Sequence, residues 1–126
     1  MLVIARLSYA LNVRIVVSDL GDLHGAYMHD HRTVMLDCKL GPIQYRSTAA
    51  HELGHAFYGH TESTPRNERE ASLWAAKSLI RVCDYFDLAR VCETPQEMAM
   101  SLGVLPRDVI NYQQWMEARR TVAESR

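Results

Sequence analysis

His51 and His55 stand four residues apart, with Glu52 directly after the first, in the run His51-Glu52-Leu53-Gly54-His55. The pattern makes chemical sense on a helix. At 3.6 residues per turn the two imidazoles lie about 40° apart around the axis and point the same way. Two neutral imidazoles on one face can hold a zinc ion. Glu52, about 100° from His51, can reach a zinc-held water as general base. Three fixed positions in five also arise by chance on ordinary helices, so the surrounding sequence must carry part of the assignment.

The chain has 126 residues, enough for one modest core, and reads as a single domain over residues 1–126. A formal net charge of −1 gives no bulk attraction to nucleic acid or to an anionic membrane. No apolar run approaches the ~18 residues of a membrane span. Met1 to Ala10 is apolar but has neither a basic leader region nor a processing site, so no signal peptide is expected. Cys38, Cys83 and Cys92 are odd in number and widely spaced. Free thiols in a cytoplasmic protein are therefore expected, with Cys83 and Cys92 as core filler rather than metal ligands.

The pattern along the chain predicts an α+β fold. Leu2 to Leu11 reads as a short helix. Arg14 to Ser18 is β-branched and reads as a strand, followed by turn chemistry at Asp19 to Asp22. His24 to Met28 and Arg32 to Asp37 read as two further strands around His29-Asp30-His31. The short connections predict a small antiparallel β-meander. Pro42 marks a helix start and Gly59 its end, giving an active-site helix from Pro42 to Tyr58. Its apolar arc is Ile43, Ala50, Leu53, Gly54 and Phe57. A second helix is expected from a cap near Asn67 to about Asp84. Shorter ones follow at about Tyr85 to Val91, Pro95 to Leu102 and Pro106 to Arg119, with a frayed tail from Thr121.

A catalytic zinc site has three protein ligands and one open position, and the candidates for the third ligand are His60, Glu62, Glu68 and Glu70. His60 lies nine residues after His51, where the metzincin pattern needs ten, and on an unbroken helix it would face away. It is expected in a loop or behind a ligand. Glu68 shares a helix face with Ala71, Ser72, Ala75 and Leu79. Those small residues let its helix approach the histidine helix closely. Glu70 lies about 160° from Glu68, and both also suit the positive end of a helix. We favour Glu68 as the third ligand over Glu70.

The block from His51 to His60, followed by Glu68-Arg69-Glu70-Ala71-Ser72-Leu73-Trp74-Ala75-Ala76, resembles the ImmA/IrrE metallopeptidases, which are gluzincin-like zinc proteins. Their pattern is H-E-L-G-H, often a G-H five residues on, then E-x-x-A-x-x-[FW]-A on the next helix. The resemblance is strongest from Arg32 to Ile80 and puts the metal-ligating glutamate on Glu68. It implies a zinc-dependent endopeptidase that cleaves, or helps remove, a helix-turn-helix repressor of a phage, mobile element or stress regulon. Ser72 stands where relatives often carry Asp. It can hydrogen-bond a ligand histidine but brings no charge. Many relatives also carry a separate DNA-binding domain, for which this chain leaves no room.

Residues 94–120 have the spacing of a helix-turn-helix, with Ala99, Gly103 and Val109 at the small, turn and buried positions. The second helix offers Arg107, Asn111, Gln113 and Gln114, but also Asp108 and Glu117. With so few cations, packing or protein docking outweighs direct DNA binding. In the expected mechanism His51, His55 and Glu68 hold Zn2+ and Glu52 is the base. The edge of the meander at Thr33 to Asp37 adds the substrate as a strand. Tyr58 is a candidate donor to the oxyanion, although a packing role weighs more. Two readings compete: a zinc-containing module that docks a repressor without cutting it, and a DNA-binding regulator using the C-terminal hairpin.

Overall fold

The computed structural model describes residues 2–124. Six helices and a three-stranded sheet follow in the order α1 (Leu2–Leu11), β1 (Arg14–Ser18), β2 (Gly25–Met28), β3 (Thr33–Asp37), α2 (Pro42–Tyr58), α3 (Pro65–Leu79), α4 (Val82–Ala89), α5 (Pro95–Leu102) and α6 (Pro106–Glu124). The fold is α+β, as the sequence predicts.

The sheet is mixed, which corrects the expected antiparallel meander. Its order is β1-β3-β2, with β1 parallel to β3 and β2 antiparallel to it. The most apolar strand takes the middle: Val34 and Leu36 are fully buried, and Thr33 and Asp37 nearly so. β1 is mostly exposed and suits an edge. A central β3 has no free edge, so it cannot pair an incoming peptide. Asp37 also pins the β1–β2 connection. Its Oδ1 accepts from the Leu20 N–H at 3.1 Å and from Lys39 Nζ at 3.0 Å, and its own N–H donates to the His24 carbonyl. These contacts hold its carboxyl below the ordinary range, the Leu20 N–H first and Lys39 next.

α2 has the predicted limits. Gly41 caps it, Pro42 opens it, and Gly59 closes it in the left-handed region at φ 68°. Its buried face runs from Ser47 to Ala50 and from Leu53 to Ala56. Ile43 and Phe57, expected on the apolar arc, are exposed. The face consists mainly of small residues because α3 lies against it, in the most extensive helix–helix contact of the fold. At the crossing, a Cβ built on Gly54 would stand 2.8 Å from the Ala71 carbonyl oxygen and 2.9 Å from its Cα. Only glycine admits the two backbones this closely.

α3 starts earlier than expected. Thr64, not Asn67, is the cap, its hydroxyl accepting from the Asn67 N–H at 3.1 Å, with Pro65 in the first turn. The helix stops at Leu79, because Ile80 turns to extended backbone, and α4 is a separate element. α5 is capped the same way by Thr94. Gly103, at φ 68°, makes the turn into α6, which continues through the predicted frayed end to Glu124. One buried cluster joins Ile4, Val34, Leu36 and Leu53 to Ala75, Leu79, Met98, Val109 and Tyr112. All three cysteines are free; Cys38 and Cys83 are exposed, and only Cys92 packs on the core, so Cys83 is not core filler.

Candidate metal centre

The close α2–α3 crossing sets Glu68 across from the two histidines of α2. Its Oε1 lies 3.0 Å from His51 Nε2 and its Oε2 lies 3.1 Å from His55 Nε2. Each oxygen of the Glu68 carboxylate thus meets one imidazole nitrogen. Ligands held at ~2.05 Å around a tetrahedral zinc stand about 3.3 Å apart. The two Glu68–histidine distances are a few tenths of an ångström shorter than that, and the donor set of two imidazoles and a carboxylate is of the kind zinc takes.

Glu52 also lies near, since its carboxylate and the two imidazoles fall within 4.8 Å of one another. Two carboxylates therefore compete for the ligand role, and their environments separate them. Burial, reinforced by the charge of Glu68 and opposed by Arg107, raises Glu52 from 4.5 to about 7. Burial also works on Glu68, but the hydrogen bond from His51 and the nearby charges of His55 and His51 outweigh it and lower this group. A carboxyl near 7 suits proton transfer, whereas one held ionised suits a cation. Burial lowers His55 and so favours the neutral imidazole that a metal requires.

The opposite side of each imidazole is also held. Ser72 Oγ lies 3.2 Å from His51 Nδ1, so the serine is within hydrogen-bonding distance of one of the two histidines. His60 Nδ1 lies 3.0 Å from His55 Nδ1, and His60 Nε2 lies 3.0 Å from Glu70 Oε1. If His55 turns Nε2 to a metal, its Nδ1–H donates to His60, whose Nε2–H then donates to Glu70. Helical projection placed His60 facing away. The left-handed turn at Gly59 brings it back, and Gly59-His60 was the signal to follow. Glu70, set aside as a ligand, reaches the site only through His60. Tyr58 is 45% exposed, stacks on His60 and lines neither hollow of the cleft, so the geometry offers it no substrate contact.

The cleft consists of two hollows of about 360 and 440 Å³ that share Leu23, Gly25, Glu52 and Glu68. β2 forms one wall. Gly25 sits tightly over α2, where a Cβ would meet Thr48 Cγ2 at 2.8 Å and Glu52 Cγ at 3.2 Å. α6 forms the far end of the first hollow with Arg107, Asp108 and Asn111. Arg107 and Asn111 were candidate DNA contacts, but they face this cleft, and Asp108 is buried, accepting from the Leu105 N–H at 3.0 Å. Nothing local in the sequence marks Arg107, which is 60 positions from its partner Ser47.

The fold and this site define a metallopeptidase-type domain of the H-E-x-x-H kind. Residues 9–94 match the Peptidase_M78 family model, the IrrE N-terminal-like domain, and the chain belongs to that family. No curated protein matches it. α5 and α6 lie beyond the matched stretch. No helix among the described residues is long and apolar enough to cross a membrane.

Proposed function

We propose that this protein is a zinc-dependent endopeptidase acting on a helix-turn-helix transcriptional repressor in the cytoplasm. The observation that carries the reading is the division of labour between two carboxylates. Glu68 meets both histidine Nε2 atoms, and Glu52 beside them is half-buried and poised near neutrality. His51, His55 and Glu68 hold the metal. A bound zinc ion supplies Lewis-acid polarisation of the peptide carbonyl and acidifies the attacking water. Glu52 takes the proton of that water and delivers it to the departing amine. Ser72 and His60 hold the two imidazoles in register.

The extended substrate pairs with β2, whose outer edge has no strand partner among the described residues. This replaces the role first expected of β3. The repressor as substrate rests on the family resemblance alone. Direct DNA binding loses support, since the hairpin's Arg107 and Asn111 are turned into the cleft.

The test is to mix wild type and Glu52→Gln separately with the helix-turn-helix repressor encoded beside the gene, with and without chelator, and to follow fragments by mass. We expect cutting by the zinc-loaded wild type alone, at least ~100-fold faster than by Glu52→Gln. Repressor released intact from its operator, equally by both proteins, would replace cleavage with docking.

A further inference from the structure

We propose that Arg107 is a specificity-determining residue, which captures a substrate carboxylate on the C-terminal side of the scissile bond. The inference deepens the peptidase reading and rests on it for the word scissile. Arg107 is the only Arg or Lys among the described residues lining either hollow of the cleft, which otherwise carries Asp22, Glu52, Glu62, Glu68 and Asp108. A lone cation in an acidic cleft is the natural receptor for an anionic group.

Its donors are mostly free. Among the described residues, its one hydrogen bond runs from Nη2 to the Ser47 hydroxyl at 3.1 Å, and no carboxylate lies within ion-pairing distance. A guanidinium has five N–H donors in a planar fork that matches a carboxylate. Ser47 is buried and anchors the side chain to α2, so the fork is held in place before a ligand arrives. Arg107 and Glu52 line the same hollow, which puts the guanidinium beside the reaction centre.

The distance along the cleft sets the substrate position. Ser47 lies one helical turn before His51, or ~6 Å along α2. An extended peptide covers that span in about two residues. The polarity follows from β2. Asp22 and His24, which precede β2, line the Arg107 hollow, and Ala26 and Tyr27 line the His60 hollow. A peptide paired antiparallel to β2, the more stable arrangement, runs toward Arg107. The captured group is therefore the side chain of an Asp or Glu about two residues after the cut, or the terminal carboxylate of a chain that ends there.

The experiment uses zinc-loaded protein and three matched peptide sets. One carries Glu two residues after the cut and an amidated end, one ends there with a free carboxylate, and one has Gln and an amide. Wild type should cleave one of the carboxylate sets at about tenfold higher kcat/KM than the neutral set, and the favoured set identifies the source. That ratio should fall toward one in Arg107→Ala and in Arg107→Gln, which keeps a donor for Ser47. It should largely survive in Arg107→Lys and invert for Lys-bearing peptides in Arg107→Glu. Cleavage with no carboxylate preference, or a preference that survives Arg107→Ala, overturns the subsite and leaves the peptidase standing. If no peptide is cut, binding of the same fluorescently labelled sets to wild type decides. Arg107-dependent tightening for a carboxylate keeps the subsite and sinks the peptidase reading, and equal binding of all three sets overturns the subsite.

Discussion

Replacing Gly54 by alanine should damage metal binding far more than folding. The added Cβ would stand 2.8–2.9 Å from the backbone of Ala71, which cannot rotate away. Comfortable carbon contacts begin near 3.5 Å, so α3 must retreat by roughly 0.7 Å. Overpacking of this kind costs about 1–3 kcal/mol. Alanine returns about 1 kcal/mol of helix propensity on α2. The net loss is then about 0–2 kcal/mol, or a melting temperature lowered by up to roughly 8 °C. The same retreat carries Glu68, three residues before Ala71, away from His51 and His55. Metal sites tolerate errors of about 0.2 Å, so zinc affinity should fall by at least tenfold. The assay pairs a competition titration against a chromogenic chelator with urea melts of metal-free protein. Gly41→Ala is the control, since nothing lies within 4 Å of its Cβ position and its φ of −71° suits any residue. A Gly54→Ala protein with wild-type zinc affinity and raised stability would show that the close crossing does not position Glu68.

His60→Ala should lower zinc affinity by about 10- to 100-fold, because His55 loses the group that fixes its outer nitrogen. Glu70→Gln should have a smaller effect in the same direction, and titrations indistinguishable from wild type would reduce the His60 contact to a surface coincidence. Asp37 makes a pH prediction: its carboxyl sits below the ordinary 3.8 when folded, so the stability it adds is present above that value and is lost as pH falls through the lower folded one. Asp37→Asn should therefore melt below wild type at pH 6, with the gap closing toward pH 3. A gap independent of pH would assign the effect to packing.

Local signals carried α2. Pro42 and Gly59 act on their own turns, so both ends of the helix were readable, and the spacing of His51, Glu52 and His55 fixed their shared face. That Glu68 would face the histidine helix was readable because Ala71 and Ala75 advertise a close helix contact. The strand order was not readable, since nothing within Arg14–Ser18 says that it pairs with β3 and not with β2. His60 escaped because one left-handed residue undoes a projection that assumes continuous helix. Arg107 escaped because its meaning depends on a serine 60 positions away, across a hairpin the motif does not include.

The recognisable part of the chain ends at residue 94, but its interior does not. Met98, Ala99, Val109 and Tyr112 close the same buried cluster that Ala75, Ala76 and Leu79 open from the other side. The stretch that matches the family and the packed core thus have different borders. A chain trimmed to the matched stretch would bare the rear of α3, the helix that carries Glu68. A chain that exchanged α5 and α6 for something else would need a new cover of the same shape to keep that helix in place. Substitutions in the hairpin can therefore shift α3, and Glu68 with it, while leaving every residue of the motif untouched.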